Sequence, residues 1–160
     1  MNPFYAATAL RAQRRCEYCR APEDIFNFHF EVDHIFPVAL GGTNDLDNLA
    51  LACPACNLYK SNALTGFDAN TQADVSLFHP RHDLWHDHFR VSALNGHVDG
   101  LTPVGRATIA RLQINHPTQI EARLLGCSST CFPNDFIYFL FSFVRQRVSV
   151  SVLRKATSAF

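Results

Sequence analysis

Net charge is the first thing this sequence lacks. Fourteen Lys and Arg balance fourteen Asp and Glu across 160 residues, leaving a formal charge of zero. That excludes the broad basic footprint with which strong non-specific nucleic-acid binders neutralise phosphates. The distribution is uneven: residues 1–66 hold 5 basic and 7 acidic side chains, 67–125 hold 5 and 6, and 126–160 hold 4 and 1. Long apolar runs are also missing. The longest, residues 136–144, is broken by Ser142 and reaches only about half of the ~20 residues a membrane helix needs. The opening MNPFYAATALRAQRR has no apolar core of the export type, so the expected location is cytoplasmic, with no membrane partner. The rest of the composition, 48% hydrophobic and 18% charged, is that of a soluble globular protein. The length suits one domain, or a small domain with an extension.

Cysteine is present, and its placement carries information. Without an export signal, six cysteines read as metal ligands or free thiols better than as a disulfide framework. Four form two Cys-x-x-Cys pairs, Cys16/Cys19 and Cys53/Cys56. Two short knuckles of soft ligands can close a tetrahedral zinc site. Such a site adds folding free energy where 66 residues give a thin core.

Local patterns order the elements around these pairs. Residues 6–15, rich in Ala, Leu, Arg and Gln, predict a short helix. Apolar residues at 26, 28, 30 and 32 alternate with Asn27, His29 and Glu31, which predicts a strand with one buried face, ended by Pro37. Residues 38–48, with Gly41-Gly42 and Thr43-Asn44-Asp45, read as a loop. Residues 49–52 read as a second strand. Pro54 at a first helical position starts a helix to about Leu64. The order is strand, loop, strand, helix.

Between the knuckles lie residues suited to phosphodiester chemistry. Imidazoles titrate near neutrality, so His34 can take a proton from water. Asp33 offers a hard anionic ligand and Asn57 a neutral oxygen. Hard donors favour Mg²⁺ or Mn²⁺ over zinc at this second site, with water and substrate phosphate filling the other positions. Neighbours in a regular strand point to opposite faces. The strand must therefore end, bend or twist at Asp33-His34 if both are to reach one phosphate. Lys60, three positions beyond Asn57 on a nearby helix face, is a candidate substrate-phosphate contact. Arg11, Arg14, Arg15 and Arg20 are equally readable as phosphate contacts or as a solvated helix face.

The run from Cys16 to Gly66 resembles the HNH endonucleases, a ββα-metal class, here with a four-cysteine zinc frame. The matching pieces are the first Cys-x-x-Cys, Asp33-His34-Ile35-x-Pro37, Gly41-Gly42, Asp47-Asn48-Leu49 and Cys53-x-x-Cys56-Asn57-x-x-Lys60. The resemblance implies His34 as general base and Asp33 with Asn57 as holders of one catalytic divalent cation. It implies Asn48 as the residue that braces the loop and orients the histidine. Asn57 stands where the family often has His, which implies weaker cation binding before substrate arrives.

The expected fold class is α+β: a small zinc-stabilised ββα-metal nuclease over residues 1–66, a mostly helical C-terminal extension over 67–125, and an apolar tail over 126–160. In the extension, His79, His82, His86 and His88 read as structural, because Phe78, Leu84, Trp85 and Phe89 around them suggest packing on the nuclease. Thr102-Pro103 predicts a cap and first turn for a helix over 104–115. The stretch GLTPVGRATIARLQIN is similar to an extension on some bacterial HNH proteins. The tail, with FIYFLFSFV and free Cys127 and Cys131, reads as a strand, a partner-binding surface, a poorly ordered end or the product of an altered reading frame. The expected function is metal-dependent hydrolysis of DNA, with RNA an open alternative substrate. The competing function is a non-catalytic zinc-containing module that binds nucleic acid or protein.

Overall fold

The computed structural model describes residues 2–127. Apart from Gly126 and the backbone of Cys127, the apolar tail lies outside the described residues, and so do the expectations for it and for its two thiols. No helix among the described residues is long and apolar enough to cross a membrane.

The ladder at the centre is short. β1 (Glu31–His34) pairs antiparallel with β2 (Leu49–Ala52), Glu31 opposite Ala52 and His34 opposite Leu49. Every residue of β2 is fully buried, and α1 (Tyr5–Arg11) packs against this strand. Burying a leucine side chain such as Leu49 or Leu51 stabilises by about 1.5–3 kcal/mol. α2 (Pro54–Lys60) follows directly and completes a ββα unit. Pro54 occupies its first turn, and the Cys53 sulfur accepts the Cys56 N–H at 3.5 Å as the helix cap.

Three boundaries differ from the sequence pattern, each for a local reason. The first helix stops at Arg11 because Gln13 and Arg14 adopt left-handed backbone, φ 52° and 53°, which turns the chain so that Arg15 bridges Pro22. The first strand begins at Glu31 and not at Phe26, because β2 has only four residues and none is left to pair with anything earlier. The alternating phenylalanines serve an aromatic cluster, with Phe26 5.3 Å from Phe28 and 5.2 Å from Phe30. α2 ends at Lys60, where Ser61 takes φ 48°.

The extension carries helices and also two hairpins. β3 (Thr65–Asp68) pairs with β4 (Ala73–Ser76), and β5 (Phe89–Val91) with β6 (Val98–Gly100). α3 (Trp85–His88) leads into β5, and α4 (Pro103–Arg111) packs on β3 and β6. Thr102 caps α4 through the Gly105 N–H at 3.1 Å, as its sequence implied. Arg106 grips Asp68 with two bonds of 2.8 Å, which joins α4 to the first hairpin. α5 (Pro117–Cys127) closes the described chain.

Buried Glu23 ties the N-terminal segments together. Its carboxylate accepts the Tyr5 hydroxyl at 2.7 and 2.8 Å and the Phe30 N–H, and it pairs with Arg14 at 3.1 Å. Burial, together with this carboxylate, pushes the Tyr5 phenol up to about 12. A raised folded-state pKa leaves the phenol's stabilising share intact below about pH 10, and that share is lost as pH rises from there toward 12. Glu23→Ala leaves the Phe30 N–H unpaired and the Tyr5 hydroxyl with His29 Nδ1 as its remaining partner, at an expected cost of about 1–3 kcal/mol in urea unfolding. Tyr5→Phe should remove the alkaline loss; an unchanged alkaline profile in that variant would place the titration elsewhere.

Candidate functional site

The two knuckles converge. The sulfurs of Cys16, Cys19, Cys53 and Cys56 all lie within 4.8 Å of one another, all four residues are fully buried, and none is in a disulfide. Each knuckle closes in the same way, with the Cys19 N–H on the Cys16 sulfur and the Cys56 N–H on the Cys53 sulfur, both at 3.5 Å. The first is tightened by the Arg20 N–H on the Cys16 carbonyl at 2.9 Å, with Arg20 at φ 64°.

The crowding has an electrostatic consequence. Hydrogen bonds from the other three thiols lower the Cys19 pKa, those from Cys16 and Cys19 raise that of Cys53, and those from Cys16, Cys19 and Cys53 raise that of Cys56. Four thiolates this close together and this fully buried repel one another unless a cation sits among them. The donor set and its spacing suit tetrahedral zinc. Among the described residues this is the only such gathering of three or more His, Cys, Asp or Glu ligands.

The histidines at 79–88 do not converge. His79 and His82 stack at 4.0 Å, His88 meets the Thr102 hydroxyl at 2.6 Å, and His86 lies at the surface. Their neighbour Trp85 packs on the first knuckle, donating its indole N–H to the Tyr18 carbonyl at 2.8 Å with Arg20 5.3 Å above its ring. The N-terminal arginines are also engaged. Arg11 donates to the Leu46 carbonyl at 2.8 Å and to the Leu49 carbonyl, and Arg14 pairs with Glu23 and Asp24.

The loop after β1 is held as a unit. Asn48 accepts the Phe36 N–H at 2.8 Å and donates to the carbonyls of Phe36 and Thr43 at 3.0 and 2.8 Å. Its own carbonyl receives the Ile35 N–H at 2.8 Å. The two glycines are steric requirements. Gly41 has φ 95°, and a Cβ on Gly42 would stand 1.9 Å from the Phe36 carbonyl oxygen. Within this loop the Asn44 side-chain oxygen lies 2.8 Å from His34 Nε2. That oxygen can only accept, so the contact is a hydrogen bond in the tautomer that carries its proton on Nε2.

Asp33 and His34 are the last two residues of β1 and face different partners. Asp33 is buried. It accepts the Tyr18 hydroxyl at 2.6 Å, and Lys60 Nζ lies 3.1 Å from each of its oxygens. Lys60 also donates to the His34 carbonyl at 2.9 Å. Burial raises the Asp33 pKa, and Lys60 and Tyr18 pull it back down. Lys60 is 2% exposed, so the side chain expected to reach substrate phosphate is turned inward. Asn57 engages neither Asp33 nor His34; its amide N–H donates to Glu31. Glu31 and Asp33 are two apart on β1, so α2 lays Asn57 and Lys60 along one face of the strand. An open groove of about 610 Å³ passes Tyr5, His29, Glu31 and Asn57, but Asp33 and His34 do not line it.

For a hard divalent cation the donor chemistry fits in one respect: Asp33 already holds a positive charge, the Lys60 ammonium. The partners Tyr18, Glu31 and Asn44 were not singled out from sequence. Period-two spacing from Asp33 marks Glu31, and the polar run 43–45 marks Asn44, whereas nothing local marks Tyr18. Lys60→Met should leave a buried carboxylate unpaired and cost about 3–5 kcal/mol in urea unfolding. Adding Asp33→Asn should recover most of that loss; a double variant as unstable as the single would show the two side chains are uncoupled.

Residues 16–63 match the family model described as HNH endonuclease. The match starts at Cys16 and spans both knuckles, β1, the braced loop, β2 and α2. This segment is therefore of the HNH type, an α+β unit with a four-cysteine cluster suited to zinc. No curated protein and no solved structure matches the chain.

Proposed function

We propose that the chain is a metal-dependent endonuclease that hydrolyses phosphodiester bonds in DNA. Zinc on Cys16, Cys19, Cys53 and Cys56 is its structural metal, and Mg²⁺ or Mn²⁺ its catalytic one. The observation that carries this reading is the His34 imidazole at the end of β1, held by Asn44 in a loop that Asn48 braces. With Nε2–H fixed on Asn44, Nδ1 is the atom that takes a proton from water. Asn48 acts by position: it keeps the loop closed and Asn44 in place. Asp33 and Asn57 are the proposed cation ligands, and Lys60 and Glu31 are the partners they give up when the ion binds. The cation, when bound, neutralises charge on the scissile phosphate. Lys60, released from Asp33, becomes available to phosphate.

The second reading, a zinc-held module that binds nucleic acid or protein without cleaving, draws on the same clasp. As long as Lys60 stays on Asp33, both oxygens of that carboxylate are engaged by a protein cation. His34→Ala separates the two readings. Plasmid nicking in Mg²⁺ or Mn²⁺ should fall by about 10²-fold or more, with zinc content and circular dichroism unchanged. Equal nicking by variant and parent would remove His34 from catalysis, and DNA binding without nicking in the parent would favour the binding module.

A further inference from the structure

The largest fully buried side chain among the described residues is a cation, Arg123 on α5, at 1% exposure. Nε donates to the Gly96 carbonyl at 2.6 Å, Nη1 to the Ile114 carbonyl at 2.9 Å and Nη2 to the Asn115 side-chain oxygen at 3.2 Å. All three acceptors are neutral, and none of the ion pairs among the described residues includes Arg123. A buried guanidinium without a counter-charge is costly. One turn earlier on the same helix, the side-chain oxygen of buried Gln119 accepts from the Cys53 thiol at 3.5 Å and from the Cys19 thiol at 3.9 Å.

The charges on the two sides are complementary. Zn²⁺ with four thiolates carries a net charge of −2 by simple addition, and this cluster is enclosed on all four cysteines. A metal-bound thiolate has no proton to donate. Toward metal-bound thiolates Gln119 would have to offer its N–H₂ end, the reverse of the orientation in which its oxygen accepts from the Cys19 and Cys53 thiols.

We propose that Arg123 and Gln119 are the outer shell of the zinc–thiolate cluster: α5 supplies the counter-charge and a hydrogen-bond donor that keep the thiolates bound and unreactive. The proposal rests on the reading of the four cysteines as a zinc site. It gives the extension a role in the metal centre of the HNH segment, from residues about 100 positions away in sequence. Gln119 and Arg123 are positioning residues, since they act through the thiolates.

The test uses the full chain and two readouts. The first is the rate of zinc transfer to a chromogenic chelator. The second is the sulfur-to-cobalt charge-transfer band of the Co²⁺-substituted protein. Outer-shell changes typically cost tenfold to a hundredfold in metal affinity. Arg123→Met should release zinc about tenfold faster or more and shift the cobalt band to lower energy, while Arg123→Lys, which keeps the charge, should fall between. Gln119→Glu, which sets a carboxylate beside sulfur, should release zinc faster than Gln119→Leu. Parental release rates and an unmoved band in Arg123→Met overturn the proposal. If Arg123→Met does not fold, Gln119→Glu and Gln119→Leu decide it, since equal release by these two overturns it as well. Zinc analysis of the parent separates this failure from failure of the zinc reading: a parent purified without zinc, which takes up none, sinks that reading itself.

Discussion

Four sulfurs from two distant turns meet within 4.8 Å, and the placement of the other candidate functional residues follows from that convergence. Cys53 is both a member of the cluster and the cap of α2. Fixing its sulfur fixes where the helix starts and which way it runs. α2 then lies along β1 so that Asn57 meets Glu31 and Lys60 meets Asp33. The first knuckle acts from the other side. Tyr18, between Cys16 and Cys19, reaches the same Asp33. The Glu17 N–H also donates to the Leu51 carbonyl at 2.8 Å, which holds the knuckle to β2. A core this small gains from such a constraint because its apolar burial leaves little margin over chain entropy.

Buried charge is managed the same way throughout. Asp33 is matched by Lys60, Glu23 by Arg14 and a tyrosine hydroxyl, and Asp68 by Arg106. Arg123 stands out because the carbonyl and amide oxygens that accept its three hydrogen bonds are all neutral. Such pairs add little net stability, but losing one partner is expensive. They specify one arrangement, and in that arrangement the Asp33 carboxylate is satisfied by protein groups. On the proposed function, the resting site is held closed by its own lysine and opens by exchanging one cation for another.

Much of the HNH segment was legible in the sequence because its signals are local. Two Cys-x-x-Cys pairs need only adjacent turns, Pro54 marks a helix start, and Gly41-Gly42 marks a loop that sterics confirm. β2 has the predicted bounds because a short apolar run between turn signals has few alternatives. β1 was displaced because period-two alternation cannot distinguish a paired strand from an extended aromatic cluster. The direction of Lys60 was not legible. Spacing places it near Asn57, while only the packing of α2 on β1 shows that it points inward. Arg123 and Gln119 were out of reach for the same reason. The sulfur partners of Gln119, Cys19 and Cys53, lie in the first third of the chain, and no periodicity links them to α5. The two hairpins of the extension are strands of three and four residues, too short to impose a pattern.

The most direct test of the central claim is amide hydrogen exchange of the full chain before and after zinc is removed by chelation. If the cluster holds a metal that positions α2 against β1, stripping it should collapse protection at residues 31–34 and 49–60 together, and restoring zinc should bring it back. Unchanged protection at those amides in a metal-free protein would contradict it.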